Sequence, residues 1–282
     1  MHERLSMPFR LAAGAAALAF CASAGAVQRN VLVSIENLAP ANSNSISFAP
    51  LHVAFNMGSF DAFNEGAPAG PEIISVAELG AGSEWQSAFA MADPTAVRGV
   101  IDAPFPLLPG ASGSKLFSLI DTTLNPFFTF AAMLLPSNDH FIGNDSPIQY
   151  RLFDMAGNLA ITSITLMASD IWDAGSEAFD AAKAAFVAGS DASLRNGGDG
   201  NVRFDFAGLA AFDGEDTPAY TFTSGLGANS EVYRISFAAV PEPESLALML
   251  PSLLALGWVG RRRRKPSAEG ADLALAAART VC

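Results

Sequence analysis

The sequence predicts an all-β domain, an antiparallel β-sandwich with one or two short helices, set between an N-terminal signal peptide and a C-terminal membrane segment. Three observations predict it. Between residues 27 and 240 the apolar residues fall into runs of strand length, alternating or continuous, and Gly, Asn, Asp and Pro cluster between them. Each end of the chain instead carries an apolar stretch beside basic residues. The two cysteines, Cys21 and Cys282, both lie in those ends, so the domain between them has no disulfide and no thiol chemistry.

Taken in order, the first strand is Val31 to Ile35, where Val31, Val33 and Ile35 face one way and Leu32, Ser34 and Glu36 the other. Leu51 to Phe55 continues in extended style after Pro50. Ile73 to Leu79, opened by Pro71-Glu72 and closed by Gly80, reads as a helix. Phe127 to Leu135 is apolar throughout and ends at Pro136, which predicts a central strand buried on both faces. Ile161 to Ala168 is rich in Thr and Ile and predicts a strand. Glu177 to Val187 predicts a second helix, with Phe179, Ala182 and Phe186 on one face. Tyr233, Ile235 and Phe237 alternate with Arg234 and Ser236 in a last strand. Trp85, Trp172 and most phenylalanines read as core; Met57, Phe60 and Phe63 read either as core or as an apolar loop tip.

The N-terminus has the order of a secretory signal. Arg4 and Arg10 precede an apolar run from Leu11 to Ala24, too short to span a bilayer. Small residues at Ala22, Ala24 and Ala26 then predict cleavage after Ala26, which assigns residues 1–26 to the signal peptide. Phe20 before Cys21 excludes a lipoprotein signal, which requires a small residue there. At the other end, Pro241-Glu242-Pro243 precedes an apolar stretch, Leu246 to Val259, and the cluster Arg261-Arg262-Arg263-Arg264-Lys265. The prolines leave an extended peptide open to a protease, and the cations hold that end in the cytoplasm. Residues 241–265 resemble the PEP-CTERM sorting signal of Gram-negative bacteria, which implies recognition by an exosortase. The membrane would be entered transiently through residues 245–260. The chain continues past the basic cluster in an Ala-rich tail, residues 266–282, where such signals usually stop.

The stretch from Val27 to Val240 contains 8 Lys and Arg against 23 Asp and Glu. That acidic balance excludes nucleic acid and anionic lipid as expected partners, since both attract basic surfaces, and it is compatible with cations.

Three stretches carry a resemblance that spans about Val31 to Val240. They are Val31 to Leu38 with Ser47 onwards, including Pro50-Leu51-His52; Ala77-Glu78-Leu79-Gly80; and Met133-Leu134-Leu135-Pro136-Ser137-Asn138-Asp139-His140-Phe141-Ile142-Gly143, joined by Trp172-Asp173-Ala174-Gly175-Ser176-Glu177. Together they resemble the spondin N-terminal domain family, in which Pro-Ser-x-Asp-x-Phe-x-Gly and Trp-Asp-Ala-Gly-Thr-Glu stretches recur at this separation. Here Ser176 replaces Thr, and His140 stands where Trp is common. The resemblance implies a spondin-type sandwich similar to C2-like, calcium-dependent membrane-binding modules, with a bound calcium and a role in extracellular adhesion.

Read by themselves, Asn138 and Asp139 project from the end of one strand and Asp173 from another, while Gly175 lets the chain turn so that Asp173 and Glu177 can face one point. Calcium takes six to eight oxygens, largely from such loops, so Asp139, Asp173 and Glu177 are the candidate ligands, with Glu78 and Asp170 as further ones. The same acids read equally as turn formers and caps. Asp213-Gly214-Glu215-Asp216 reads as a solvated hairpin tip rather than a cation loop, and Asn196-Gly197-Gly198-Asp199-Gly200 as a turn.

No catalytic residue is expected. His52 and His140 are the only histidines between residues 27 and 240, which excludes a zinc site of several histidines, and no nucleophile elbow, phosphate loop or dinucleotide fingerprint occurs. Adjacent Asp139 and His140 are expected to point to opposite faces of a strand. The expected function is an exported, surface-associated calcium-binding module for adhesion or matrix assembly, meeting extracellular polysaccharide or a surface protein. The alternatives are a secreted carbohydrate-active hydrolase using paired carboxylates and a passive component of the extracellular polymer layer.

Overall fold

A computed structural model describes residues 27–241 apart from Asp102 and Asp199. The signal peptide, Glu242, Pro243, the segment 245–260, the basic cluster and the tail lie outside the described residues. The described chain is mostly β, with antiparallel sheets and few helices. Its elements are β1 Gln28–Asn37, β2 Ser47–Phe48, β3 Leu51–Asn56, α1 Pro71–Ala77, α2 Ser83–Ala92, β4 Val97–Ile101, β5 Ser112–Asp121, β6 Phe127–Leu135, β7 His140–Gly143, β8 Tyr150–Arg151, β9 Ser163–Met167, β10 Trp172–Asp173, β11 Arg203–Phe204 and β12 Glu231–Val240.

Two sheets result. The smaller has the order β5-β1-β12-β9; the larger runs β11-β10-β7-β6-β3-β4, with β2 and β8 also pairing with β6. β1 sits between two partners, so its alternation becomes a strict burial alternation: Val31, Val33, Ile35 and Asn37 are inside. β12 inserts Tyr233, Ile235 and Phe237 in the same way. The sheets share one core: Phe55 of β3 meets Phe117 of β5 at 5.2 Å between ring centres, and Phe128 of β6 meets Phe237 of β12 at 4.8 Å. On the larger sheet's opposite face a second cluster joins Ala54, Ala131, Phe141 and Trp172 to Ile73 and Val76 of α1 and Trp85 and Phe89 of α2. β6 is therefore covered on both faces, which accounts for its unbroken apolar sequence. Phe60 and Phe63 belong to this second cluster, whereas Met57 is half exposed.

Three departures from the sequence reading have physical causes. The predicted helix over Glu177–Val187 does not form: only Ala181–Lys183 makes a 3-10 turn, opened by Asp180, whose side chain accepts from the Ala182 N–H. The rest is pinned outward instead. Ala185 N–H donates to Ser137 O, Ala188 N–H to Asp216 O, and Phe186 has φ +64°. Helix α2 was missed because its Ser83, Glu84 and Ser87 face water and only Trp85 and Phe89 are fully buried. Strand β5 was missed because it is an edge strand, defined by its backbone pairing with β1 while most of its side chains face out. Among the described residues no helix is long and apolar enough to cross a membrane.

Candidate metal centre

The centre forms where β7, β10 and β11 end side by side. β10 pairs with β7 so that Asp173 stands opposite His140, and with β11 so that Asp173 also stands opposite Arg203. Directly opposed residues on neighbouring strands project to the same face, so His140, Asp173 and Arg203 make a row. In that row Arg203 Nη2 donates to Asp173 Oδ2 at 2.8 Å, and His140 Nε2 lies 3.8 Å from the same oxygen. The Trp172 indole N–H donates to Gly143 O at 3.0 Å and stacks on Phe204 at 3.6 Å, holding all three strands in line.

Asp139 comes from the bend between β6 and β7, one residue ahead of the strand. Strand alternation does not govern that bend, so Asp139 and His140 turn to the same cavity, contrary to the expectation of opposite faces. A metal-ligating atom from each of Asp139, His140 and Asp173 lies within 4.8 Å of the others, and all three residues are buried. Asp139 Oδ2 accepts from the N–H groups of Ser176 at 2.8 Å and Glu177 at 2.9 Å, and from the Ser176 hydroxyl at 3.2 Å. The loop that supplies these donors turns at Gly175, which has φ +63° and whose N–H donates to Asp173 Oδ1 at 2.6 Å. A Cβ on Gly175 would stand 2.6 Å from the carbonyl carbon of Gly200, so the turn is open only to glycine.

A cavity of about 150 Å³ opens onto these groups, lined among others by Asp139, His140, Asp173, Glu177, Arg203 and Phe179. Glu177 enters it, but its Oε1 is held by the Asn196 N–H at 2.9 Å and approached by Arg195 Nε at 3.8 Å. Asn138 ties the loop down: its Nδ2 donates to Asp180 O, and its Oδ1 accepts from the Asp180 N–H. The two further candidates do not join. Glu78 closes helix α1 and pairs with Arg195, while Asp170 accepts from the Met167 N–H at 2.8 Å and does not line the cavity.

Burial dominates the electrostatics. It pushes Asp139 up to about 7, helped by the charge of Asp173 and opposed by the N–H groups of Glu177 and Ser176. Burial also raises Glu177, against the Asn196 N–H and with Glu78 adding to it. His140 is lowered by burial, which outweighs the pull of Asp173 and Asp205, with Arg203 lowering it further. Two carboxylates converge in a buried pocket beside the Arg203 guanidinium, an arrangement that a divalent ion would stabilise by adding positive charge. The acids present thus fit a cation, and the histidine adds a nitrogen donor that the sequence reading had set aside. Arg203 and Asp205 were also missed; the alternation Arg203-Phe204-Asp205-Phe206 was their signal, a short edge strand in a Gly-rich region. The second acidic cluster belongs to a hairpin but lies on one arm of it and not at the tip: Gly214 N–H donates to Phe222 O and Thr221 Oγ1 to Asp216 Oδ1, and the chain turns at Thr217–Tyr220.

Compared with known proteins, the chain matches no family model and no curated protein.

Proposed function

We propose that this chain is an exported, surface-associated module of the spondin type, a β-sandwich that holds calcium and serves adhesion or assembly of the extracellular matrix. The observation that carries the reading is the buried convergence of Asp139 and Asp173 at adjoining strand ends, with Glu177 in the same cavity. Calcium ligands stand about 2.3–2.6 Å from the ion, so two of them can be up to about 5 Å apart, and the spacing here suits that without rearrangement. A cation would join the β6–β7 bend to the 174–178 loop and order the surface around them, where a polysaccharide or surface protein would dock. Export by the signal peptide and release by an exosortase at Pro241-Glu242-Pro243 rest on the sequence order at the two ends.

The hydrolase alternative draws on one feature, a carboxyl held near neutrality beside a second carboxylate, as general acid catalysis needs. The cavity weighs against it. At about 150 Å³ it is below the roughly 300 Å³ at which small-molecule pockets begin, and both acids are at least nine-tenths buried.

Thermal melting of the metal-stripped protein, with and without millimolar calcium, tests the reading. At 100 times the dissociation constant, calcium should add about 2.7 kcal/mol to stability, and Asp173→Ala should abolish the gain. A wild-type melting temperature indifferent to calcium would return these acids to the role of turn formers.

A further inference from the structure

The ring of His140 distinguishes this cavity from one lined by oxygen alone. It is 6 % exposed, and neither Nδ1 nor Nε2 makes a close hydrogen bond, the Asp205 backbone being near enough only to draw weakly on the ring. A buried imidazole usually satisfies both nitrogens. Here the neighbours are carboxylates instead: Asp173 Oδ2 lies 3.8 Å from Nε2, too far for a hydrogen bond, and an Asp139 oxygen lies inside the same 4.8 Å group. The β7–β10 register places that ring opposite Asp173, and the bend before β7 brings Asp139 beside it.

We propose that Asp139, His140 and Asp173 form a mixed nitrogen–oxygen site for a transition metal of the zinc class, so that this cavity selects zinc over calcium. The inference rests on the reading that the acidic pair holds a cation, and it changes which cation and through which residues. Calcium takes oxygen ligands and gains little from imidazole; zinc binds imidazole nitrogen at about 2.0–2.1 Å and carboxylate oxygen at about 2.0–2.2 Å. In a tetrahedral zinc site two such ligands stand about 3.4 Å apart, so the 3.8 Å between His140 Nε2 and Asp173 Oδ2 is a few tenths of an ångström too wide. The group as a whole, spread over up to 4.8 Å, would draw in by up to about 1.4 Å on binding the ion. Three protein ligands leave the fourth position of a tetrahedral ion to water.

The test uses the full chain, stripped of metal, titrated separately with zinc, cobalt and calcium chloride. Wild type, His140→Phe and Glu177→Gln are compared by calorimetry, with circular dichroism of each metal-free variant as a check on folding. Wild type should bind zinc at least tenfold more tightly than calcium. His140→Phe should weaken zinc about a hundredfold, since losing even an outer-sphere partner of a metal costs about 10–100-fold, and should leave calcium binding unchanged. Cobalt in the wild type needs no variant: a strong visible absorption marks the four- or five-coordinate site proposed, a faint one the six-coordinate site that an oxygen-only cage would give. Zinc binding that survives His140→Phe, or a faint cobalt spectrum, overturns the inference. If calcium then still binds and Glu177→Gln weakens it, the oxygen-only calcium reading stands alone. If no ion binds the wild type, both readings fall.

Discussion

Asp139 is the residue on which the site turns, because its charge is unwelcome until something answers it. Its carboxyl titrates near 7 in the folded chain against 3.8 ordinarily, first through burial and then through Asp173. The folded state thus keeps a proton that the unfolded chain gives up between about pH 4 and 7. More protons bound in the native state mean that stability falls as pH rises through that window. The loss is up to about 4 kcal/mol at 1.36 per unit. His140 works in the opposite direction: its pKa is lowered, so the unfolded chain binds the extra proton, and stability rises as pH climbs toward 6.5. Asp173, Glu177 and Arg203 also face the cavity, so the wild-type profile alone would mix these contributions. The difference between wild type and Asp139→Asn isolates one of them. In metal-free buffer the variant should gain on the wild type between pH 5 and pH 8, read as the change in the gap between melting temperatures. Saturating calcium at pH 8 should reverse that gain, since the charged carboxylate holds the ion more strongly than the neutral amide oxygen that replaces it. A gap that does not move with pH would mean that Asp139 is ionised throughout.

At the scale of elements, the loop after β10 does the assembling. It bends at Gly175, offers the Ser176 and Glu177 N–H groups to Asp139, and lies against the 196–201 segment through Ala178 N–H to Gly197 O and Gly200 N–H to Gly175 O. Gly175→Ala meets two obstacles: a left-handed backbone, costing about 1–2 kcal/mol for a residue with a Cβ, and the Gly200 carbonyl carbon at 2.6 Å. It should lower stability by at least that much and weaken calcium about tenfold or more, as seen in denaturant unfolding and calorimetric titration. Unchanged calcium affinity would show that the loop does not shape the site. This loop also marks how far the sequence could be read. Asp139, Asp173 and Glu177 were legible because strand ends and a glycine turn leave local signatures. The strands β1 and β12 were legible because burial on one face imposes a period on them, and β3 and β6 because burial on both faces leaves a largely apolar run. His140 was not, because its orientation depends on where the bend ends and β7 begins, a single-residue boundary. Arg203 was not, because it reaches Asp173 only through the pairing of a two-residue strand. The Glu177–Val187 stretch has a helical apolar spacing, but its hydrogen bonds go to Ser137 and Asp216, partners 48 and 28 residues from Ala185 and Ala188. Local pattern holds no information about them.

For the whole molecule, the site depends on a larger sheet that is held on both faces. Helices α1 and α2 cover one face through Ile73, Val76, Trp85 and Phe89. The smaller sheet covers the other, and Phe128 is central to that contact: it meets Phe55 at 5.3 Å, Phe130 at 6.1 Å and Phe237 at 4.8 Å, and is fully buried. The same strand, β6, pairs with β7 through Met133–Phe141 and then runs into the bend that carries Asp139. With no cysteine between residues 27 and 240, no disulfide compensates for a weakened core. Phe128→Ala should therefore cost about 3–5 kcal/mol, the range for emptying a packed aromatic site. That is a large share of the 5–15 kcal/mol by which a folded domain is stable. Urea unfolding of the metal-free chain measures it. Because Phe128 lies toward the opposite end of β6 from Asp139, calcium should bind the folded fraction of the variant with unchanged affinity. A loss below about 1 kcal/mol would mean that the two sheets are not joined through this ring, and the support for the site would then have to come from the helical face alone.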